Sequence, residues 1–171
     1  YQKGIEVMAL CDLHQFRTDS CNRMLVRAGM KEADVYYGDD EQWKKVCERE
    51  DIDLIYIATD WVNHAPIMIY AMQHGKHVAC EVPAALTLEE IWEVVNTAEL
   101  TRKHCMMLEN CVYDFFEITT LNMAQQGVFG DITHVKGAYN HCLSDIWPDY
   151  NADWRMQYNM KYRGDIYPTH G

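Results

Sequence analysis

The residues able to do chemistry sit just after short apolar runs. Asp12 closes one run, Thr59, Asp60, Trp61 and His64 follow a second, Glu81 a third, and Glu109, Asn110 and Cys111 a fourth. Carboxylates, a carboxamide and an imidazole in such places exchange hydrogen bonds with hydroxyls, as in holding a ribose-bearing cofactor. Further on, Tyr139 and His141 stand two apart in an alternating stretch, so both point to one face and within reach of a sugar; a tyrosine packed at a sheet edge is the plain alternative. The closing YPTHG places Tyr167 and His170 three apart, with Pro168 and Gly171 constraining the turn. That spacing brings a phenol close to an imidazole, whose ordinary pKa suits proton transfer near neutral pH. The alternative there is a capped turn.

The elements that must position these groups alternate in type. Residues 55–58 and 77–80 are apolar runs of the kind found in parallel strands covered on both faces. Between them residues 66–74 have helical spacing (Ile67, Tyr70, Ala71) and stop at Gly75, which suits a left-handed helix terminus. The result is a strand, helix, strand crossover, and in such sheets ligands gather at the carboxyl ends of the strands.

Upstream, residues 6–11 predict a strand ending at Asp12, residues 15–28 a helix closed by Gly29, and residues 35–37 a short strand. Asp39 or Asp40 is placed to cap a helix running to Arg49. Thr87 and Glu90 form a capping box ahead of a helix whose apolar positions are Leu88, Ile91, Trp92, Val95 and Ala98, ending near Lys103. Residues 105–108 predict one more strand. Alternation of this kind is an α/β, Rossmann-like doubly wound parallel sheet.

The character changes after Tyr113: a helix to Gln126, a GVFGD turn, then partial alternation over residues 132–141, as in an antiparallel strand of a separate α+β domain. The expected division is a partial nucleotide-binding domain over 1–111 and the start of a second, mostly antiparallel domain over 112–171. Residues 144–171 are rich in Trp, Tyr, Asp and Asn with little periodicity, which is loop composition with aromatic faces. No GxGxxG occurs in the chain. The expectation is an internal piece of a larger protein, lacking its first strand and phosphate loop and inactive by itself.

The net charge of -11 over 171 residues argues against nucleic acid or an anionic membrane as partner and favours a small molecule. No apolar run approaches the roughly 18 residues a membrane span needs, and the first residues resemble no signal peptide. The seven cysteines include no CxxC pair, which favours buried thiols over disulfides or zinc. Asp39, Asp40 and Glu41 look like solvated charge, His74 and His77 make a poor metal pair, and the RGD tripeptide at Arg163 is a chance match.

Asp12, then IATDWVNH, GKHVACEVP and a strand ending in Asn110 together resemble the Gfo/Idh/MocA group of NAD(P)-dependent oxidoreductases. That group usually carries Glu-Lys-Pro, with a lysine that assists hydride chemistry; here the tripeptide is Glu81, Val82, Pro83. Within the group, EVPAA, MMLENCVYD, GVFGDITHV and YPTHG closely resemble glycoside hydrolase family 109, bacterial NAD-dependent enzymes with α-N-acetylgalactosaminidase activity. The resemblance covers nearly the whole chain.

It implies NAD as a recycled cofactor: oxidation of the sugar 3-hydroxyl acidifies the carbon-2 proton, a base eliminates the glycosidic oxygen, water adds and the ketone is reduced again. This lies outside the two-carboxylate pattern. It further implies Asp12 on the adenosine ribose, disfavouring NADP, with a helix cap as the alternative role. Trp61, His64, Glu81, Val82 and Asn110 would border the nicotinamide half, although an indole packed under a helix and an imidazole capping one stay open for Trp61 and His64. Tyr139 is implied as substrate contact and carbon-2 base, needing a nearby positive charge because an ordinary tyrosine pKa is about 10. Arg155 is implied on sugar hydroxyls or the acetamide, His170 as base at the 3-hydroxyl, and Tyr167 as its neighbour. The implied partner is a glycan ending in N-acetylhexosamine. A periplasmic or cell-surface address is favoured over a cytoplasmic one, and homo-oligomerisation stays open. An NAD(P)-dependent sugar or polyol dehydrogenase and a non-catalytic binding relative are the competing readings.

Overall fold

The computed structural model describes residues 4–136. It divides into two compact units, Tyr1–Leu108 and Glu109–Gly171. In the first unit, β1 (Ala9–Asp12), α1 (Gln15–Arg27), β2 (Asp34–Tyr37), α2 (Gln42–Cys47), β3 (Leu54–Ile57), α3 (Trp61–Gln73), β4 (His77–Glu81), α4 (Leu88–Thr101) and β5 (Cys105–Leu108) alternate strictly.

All strand pairings among the described residues are parallel, in a two-stranded sheet β1-β2 and a three-stranded sheet β3-β4-β5. Register pairs Asp12 with Tyr37, Ile57 with Cys80 and Glu81 with Leu108. Within each sheet the carboxyl ends therefore finish along one rim, because parallel neighbours run in step.

The core lies where α3 and α4 cover the larger sheet. Ile57, Val78 and Cys80 from the strands meet Ala65, Ile67, Met68, Ala71 and Met72 from α3 and Val94 from α4. Met72 is fully buried, and burial of a side chain of that size contributes about 1.5–3 kcal/mol. Lys76 is buried beside this core, its ammonium donating to the Arg49 carbonyl.

Three elements depart from expectation. Helix α3 begins at Trp61, five residues before Pro66, so the proline lies inside the helix. Pro66 has no N–H for the Val62 carbonyl, yet the turn persists because Ile67, Met68, Ala71 and Met72 are all buried behind it. Strand β1 spans Ala9–Asp12 rather than residues 6–11, since β2 offers only four partners. Helix α2 starts at Gln42 with Glu41 as its cap residue. Asp39 instead accepts the Glu41 amide at 3.0 Å, a side-chain turn ahead of the helix.

Helix α4 follows its sequence signal closely. Thr87 accepts the Glu90 amide at 3.1 Å, and the Glu90 carboxylate accepts the Thr87 amide at 3.1 Å and that of Leu86 at 2.7 Å. The helix closes on Arg102 with φ of 56°, a left-handed position normally left to glycine. Gly75, at φ 80°, ends α3 in the same region at no steric cost.

The second unit holds α5 (Phe115–Gln125), with Asp114 as its cap residue. Residues 132–136 carry no strand pairing. The remainder of the antiparallel strand expected over 132–141 lies outside the described residues.

No helix among the described residues is long and apolar enough to cross a membrane. Cys47 and Cys80 are buried free thiols, whereas Cys11, Cys21 and Cys111 are exposed.

Candidate functional site at the strand ends

Asp12 ends β1 half-buried, and its Oδ1 accepts the His14 amide at 2.8 Å across the turn into α1. Oδ2 has no partner among the described residues. The helix-cap alternative does not hold, because His14 is the cap residue of α1 and no side chain caps that helix; a carboxylate that spends one oxygen on the turn ahead of the helix keeps the other for a ligand hydroxyl.

The β3 end is built differently. Asp60 precedes α3, and its Oδ1 accepts from the Asn63 side chain at 2.5 Å, tying the turn to the first helical turn. Trp61 opens the helix and is 6% exposed. His64, one turn further, is 1% exposed. Its Nδ1 lies 2.7 Å from the Pro83 carbonyl and its Nε2 3.1 Å from the Thr59 carbonyl. The imidazole is thus inside the helix and turned inward, spanning the segments that leave β3 and β4; it does not cap the start of a helix at Pro66.

At the β4 end Glu81 and Val82 are half-buried and the Val82–Pro83 peptide is cis. The Tyr56 hydroxyl donates to Glu81 Oε1 at 2.6 Å. The carboxylate pushes the Tyr56 phenol up to about 12, with lesser help from desolvation. Tyr56 therefore stays a donor across the neutral range, while Glu81 Oε2 has no partner among the described residues. Tyr56 was not singled out from sequence. Its signal was the β3–β4 register, which sets Tyr56 against Ala79 and so brings it diagonally to Glu81.

Asn110 belongs to the second unit, where its amide donates to Glu109 Oε1 at 3.1 Å. Cys111 beside it takes φ of 63°, and a hydrogen bond with Asp114 raises its thiol pKa. Tyr139, His141, Arg155, Tyr167 and His170 lie outside the described residues. Within the first unit the structure thus gathers Thr59, His64, Tyr56, Glu81 and Pro83 at adjoining strand ends, and places Asp12 on the rim of the other sheet. Among the described residues no group of three or more His, Cys, Asp or Glu is placed to hold a metal ion.

The residues present suit a dinucleotide: two rim carboxylates each keep an oxygen available for hydroxyls, and an apolar segment beginning at Val82 follows the second.

Comparison with known proteins follows the same division. Residues 1–109 match the model of the oxidoreductase family with an NAD-binding Rossmann fold (Gfo/Idh/MocA), and residues 113–171 match that of the glycosyl hydrolase 109 C-terminal domain. Glycosyl hydrolase family 109 protein 1 of Bacteroides thetaiotaomicron is 62% identical over 168 residues, covering 98% of this chain and 36% of that protein. An alpha-N-acetylgalactosaminidase of Bacteroides fragilis is 52% identical over 175 residues, covering 99% of this chain and 41% of that protein. The chain thus spans 36–41% of the length of these relatives. Among solved structures, scyllo-inositol dehydrogenase from Lactobacillus casei with bound NAD(H) and scyllo-inositol superposes with a TM-score of 0.64 at 20% identity, covering 74% of this chain and 35% of that one. At that identity the likeness speaks for the fold alone.

Proposed function

The chain belongs to the oxidoreductase family with an NAD-binding Rossmann fold and continues into glycosyl hydrolase 109 sequence, and from that premise we propose that its full-length parent hydrolyses α-N-acetylgalactosaminides with NAD as a recycled cofactor. The observation that carries the reading is the rim of strand ends, where Asp12 and Glu81 each hold one carboxylate oxygen locally and present the other.

On this reading Asp12 takes the adenosine ribose and Glu81, held by Tyr56, takes the nicotinamide ribose. Bound NAD supplies a reversible hydride acceptor for sugar carbon 3, which makes the carbon-2 proton acidic for as long as the ketone lasts. His170 removes and returns the proton of the 3-hydroxyl, and Tyr167 contacts the substrate. Tyr139 takes the carbon-2 proton, and Arg155 orients the acetamide through its fixed fork of donors. Val82 fills the place where the wider family carries a lysine cation, so proton movement at carbon 3 falls to His170. Among the described residues β1 and β3 each pair along one edge only, which suits one further parallel strand between the two sheets, with the phosphate loop at its end.

Nitrophenol release from its α-N-acetylgalactosaminide by the parent protein, with no NAD added and no NADH accumulating, is the expected result. Stoichiometric NADH from free sugars without glycoside cleavage would replace this reading with a sugar dehydrogenase.

A further inference from the structure

We propose that His64 is a positioning residue that fixes the spacing between the β3 and β4 ends and so preforms the nicotinamide side of the site; this rests on the reading of that rim as an NAD site. His64 is 1% exposed. What it reaches is backbone: the Pro83 carbonyl through Nδ1 and the Thr59 carbonyl through Nε2. Both carbonyls lie beyond the last residue of their strands, Ile57 and Glu81, so no sheet ladder engages them. The imidazole is thus a direct link between the two segments leaving the sheet.

The placement is economical. Helix α3 is anchored by Ile67, Met68, Ala71 and Met72 in the core, so its first turn is a rigid mount, and an imidazole on that turn measures a fixed gap between two loops. Tyr56 completes the hold from the other side by taking the Glu81 carboxylate. The residues flanking Val82 are thus both held, Glu81 at its carboxylate by a phenol and Pro83 at its carbonyl by an imidazole. Rigid mounting of this kind lowers the ordering cost when a ligand binds.

The chemistry of the contacts selects the variants. A neutral imidazole carries a single N–H and donates to one of the two carbonyls, at Nδ1 or at Nε2 according to tautomer; a leucine at position 64 fills similar volume but takes that donor away, whereas a glutamine amide supplies N–H groups again. In the full-length parent, His64→Leu is expected to weaken NAD binding about tenfold, the effect of leaving a buried acceptor unpaired, and His64→Gln to recover most of it. A merely structural role is controlled by Val94→Ala, a core truncation in α4 away from the rim, whose NAD affinity should stay at the wild-type value even though its stability falls.

Amide hydrogen exchange reads the clamp without NAD. His64→Leu should speed exchange in residues 59–61 and 81–85 together, and Val94→Ala should not. Unchanged exchange at those segments would overturn the clamp itself. Faster exchange with unchanged NAD affinity, or a loss no greater than that of Val94→Ala, would overturn its role in positioning. A wild-type parent that fails to bind NAD at all would overturn the proposed function and the positioning role with it, while the exchange result would still report on the clamp.

Discussion

The Tyr56 hydroxyl donates to the Glu81 carboxylate at 2.6 Å across neighbouring parallel strands. One oxygen of Glu81 is thereby fixed and the other presented at the rim. A carboxylate with two free torsions would otherwise lose rotamer freedom each time it met a ribose.

Removing that hydroxyl tests the arrangement. Tyr56→Phe in the parent should weaken NAD binding about twofold to fivefold, less than a buried hydrogen bond to a charged group would give, because Tyr56 is largely exposed. Isothermal titration with NAD would measure it. Unaltered affinity would show that Glu81 needs no orientation from β3.

The same pair sets a spectroscopic expectation. With its phenol pushed up to about 12 by Glu81, Tyr56 should ionise later than an ordinary tyrosine near 10. The stabilisation from the pair is complete below pH 10 and disappears as pH climbs through 12. Ultraviolet titration of wild type against Tyr56→Phe should lose one late tyrosinate; loss of an ordinary one instead would mean the pair does not form.

Buried thiols should add alkaline sensitivity. Burial pushes Cys47 and Cys80 up to about 12 each from 9.0. A group that holds its proton more tightly when folded stabilises the fold fully below its unfolded pKa and loses that contribution as pH rises through the folded one. The thermal midpoint should therefore fall between pH 9 and 12, and Cys80→Ala should flatten the fall. An unchanged slope in that variant and in Cys47→Ala would place the alkaline instability elsewhere.

The capping box of α4 carries a stability prediction. Thr87→Ala removes the acceptor for the Glu90 amide and should cost about 1 kcal/mol, as loss of such a cap commonly does. Urea unfolding of the variant would show it as a lower midpoint at unchanged slope. An unchanged midpoint would mean that packing of α4 alone sets its start.

Much of this was legible in sequence wherever the cause is local. Strand β5 appears at the predicted residues because CMML is bounded by polar residues, and α4 because Thr87 and Glu90 satisfy each other's amides. The start of α3 was misplaced because Pro66 looks like a first-turn proline, while burial of four side chains beyond it carries the helix through. The inward turn of His64 and the contact of Tyr56 with Glu81 depend on strand register, a tertiary fact with no local signature. Asp12 was legible because its position at a strand end fixes both its turn and its rim.

The central claim, cleavage through a transient ketone at carbon 3, is tested most directly by running hydrolysis of an aryl α-N-acetylgalactosaminide by the parent protein in deuterated water. Elimination and water addition exchange the proton at carbon 2, so the account predicts released N-acetylgalactosamine carrying deuterium there; in Tyr139→Phe, which lacks the proposed base, turnover should fall on the order of a hundredfold or more. Full hydrolysis with carbon 2 still bearing its original hydrogen would contradict the account and return the protein to ordinary displacement chemistry at carbon 1.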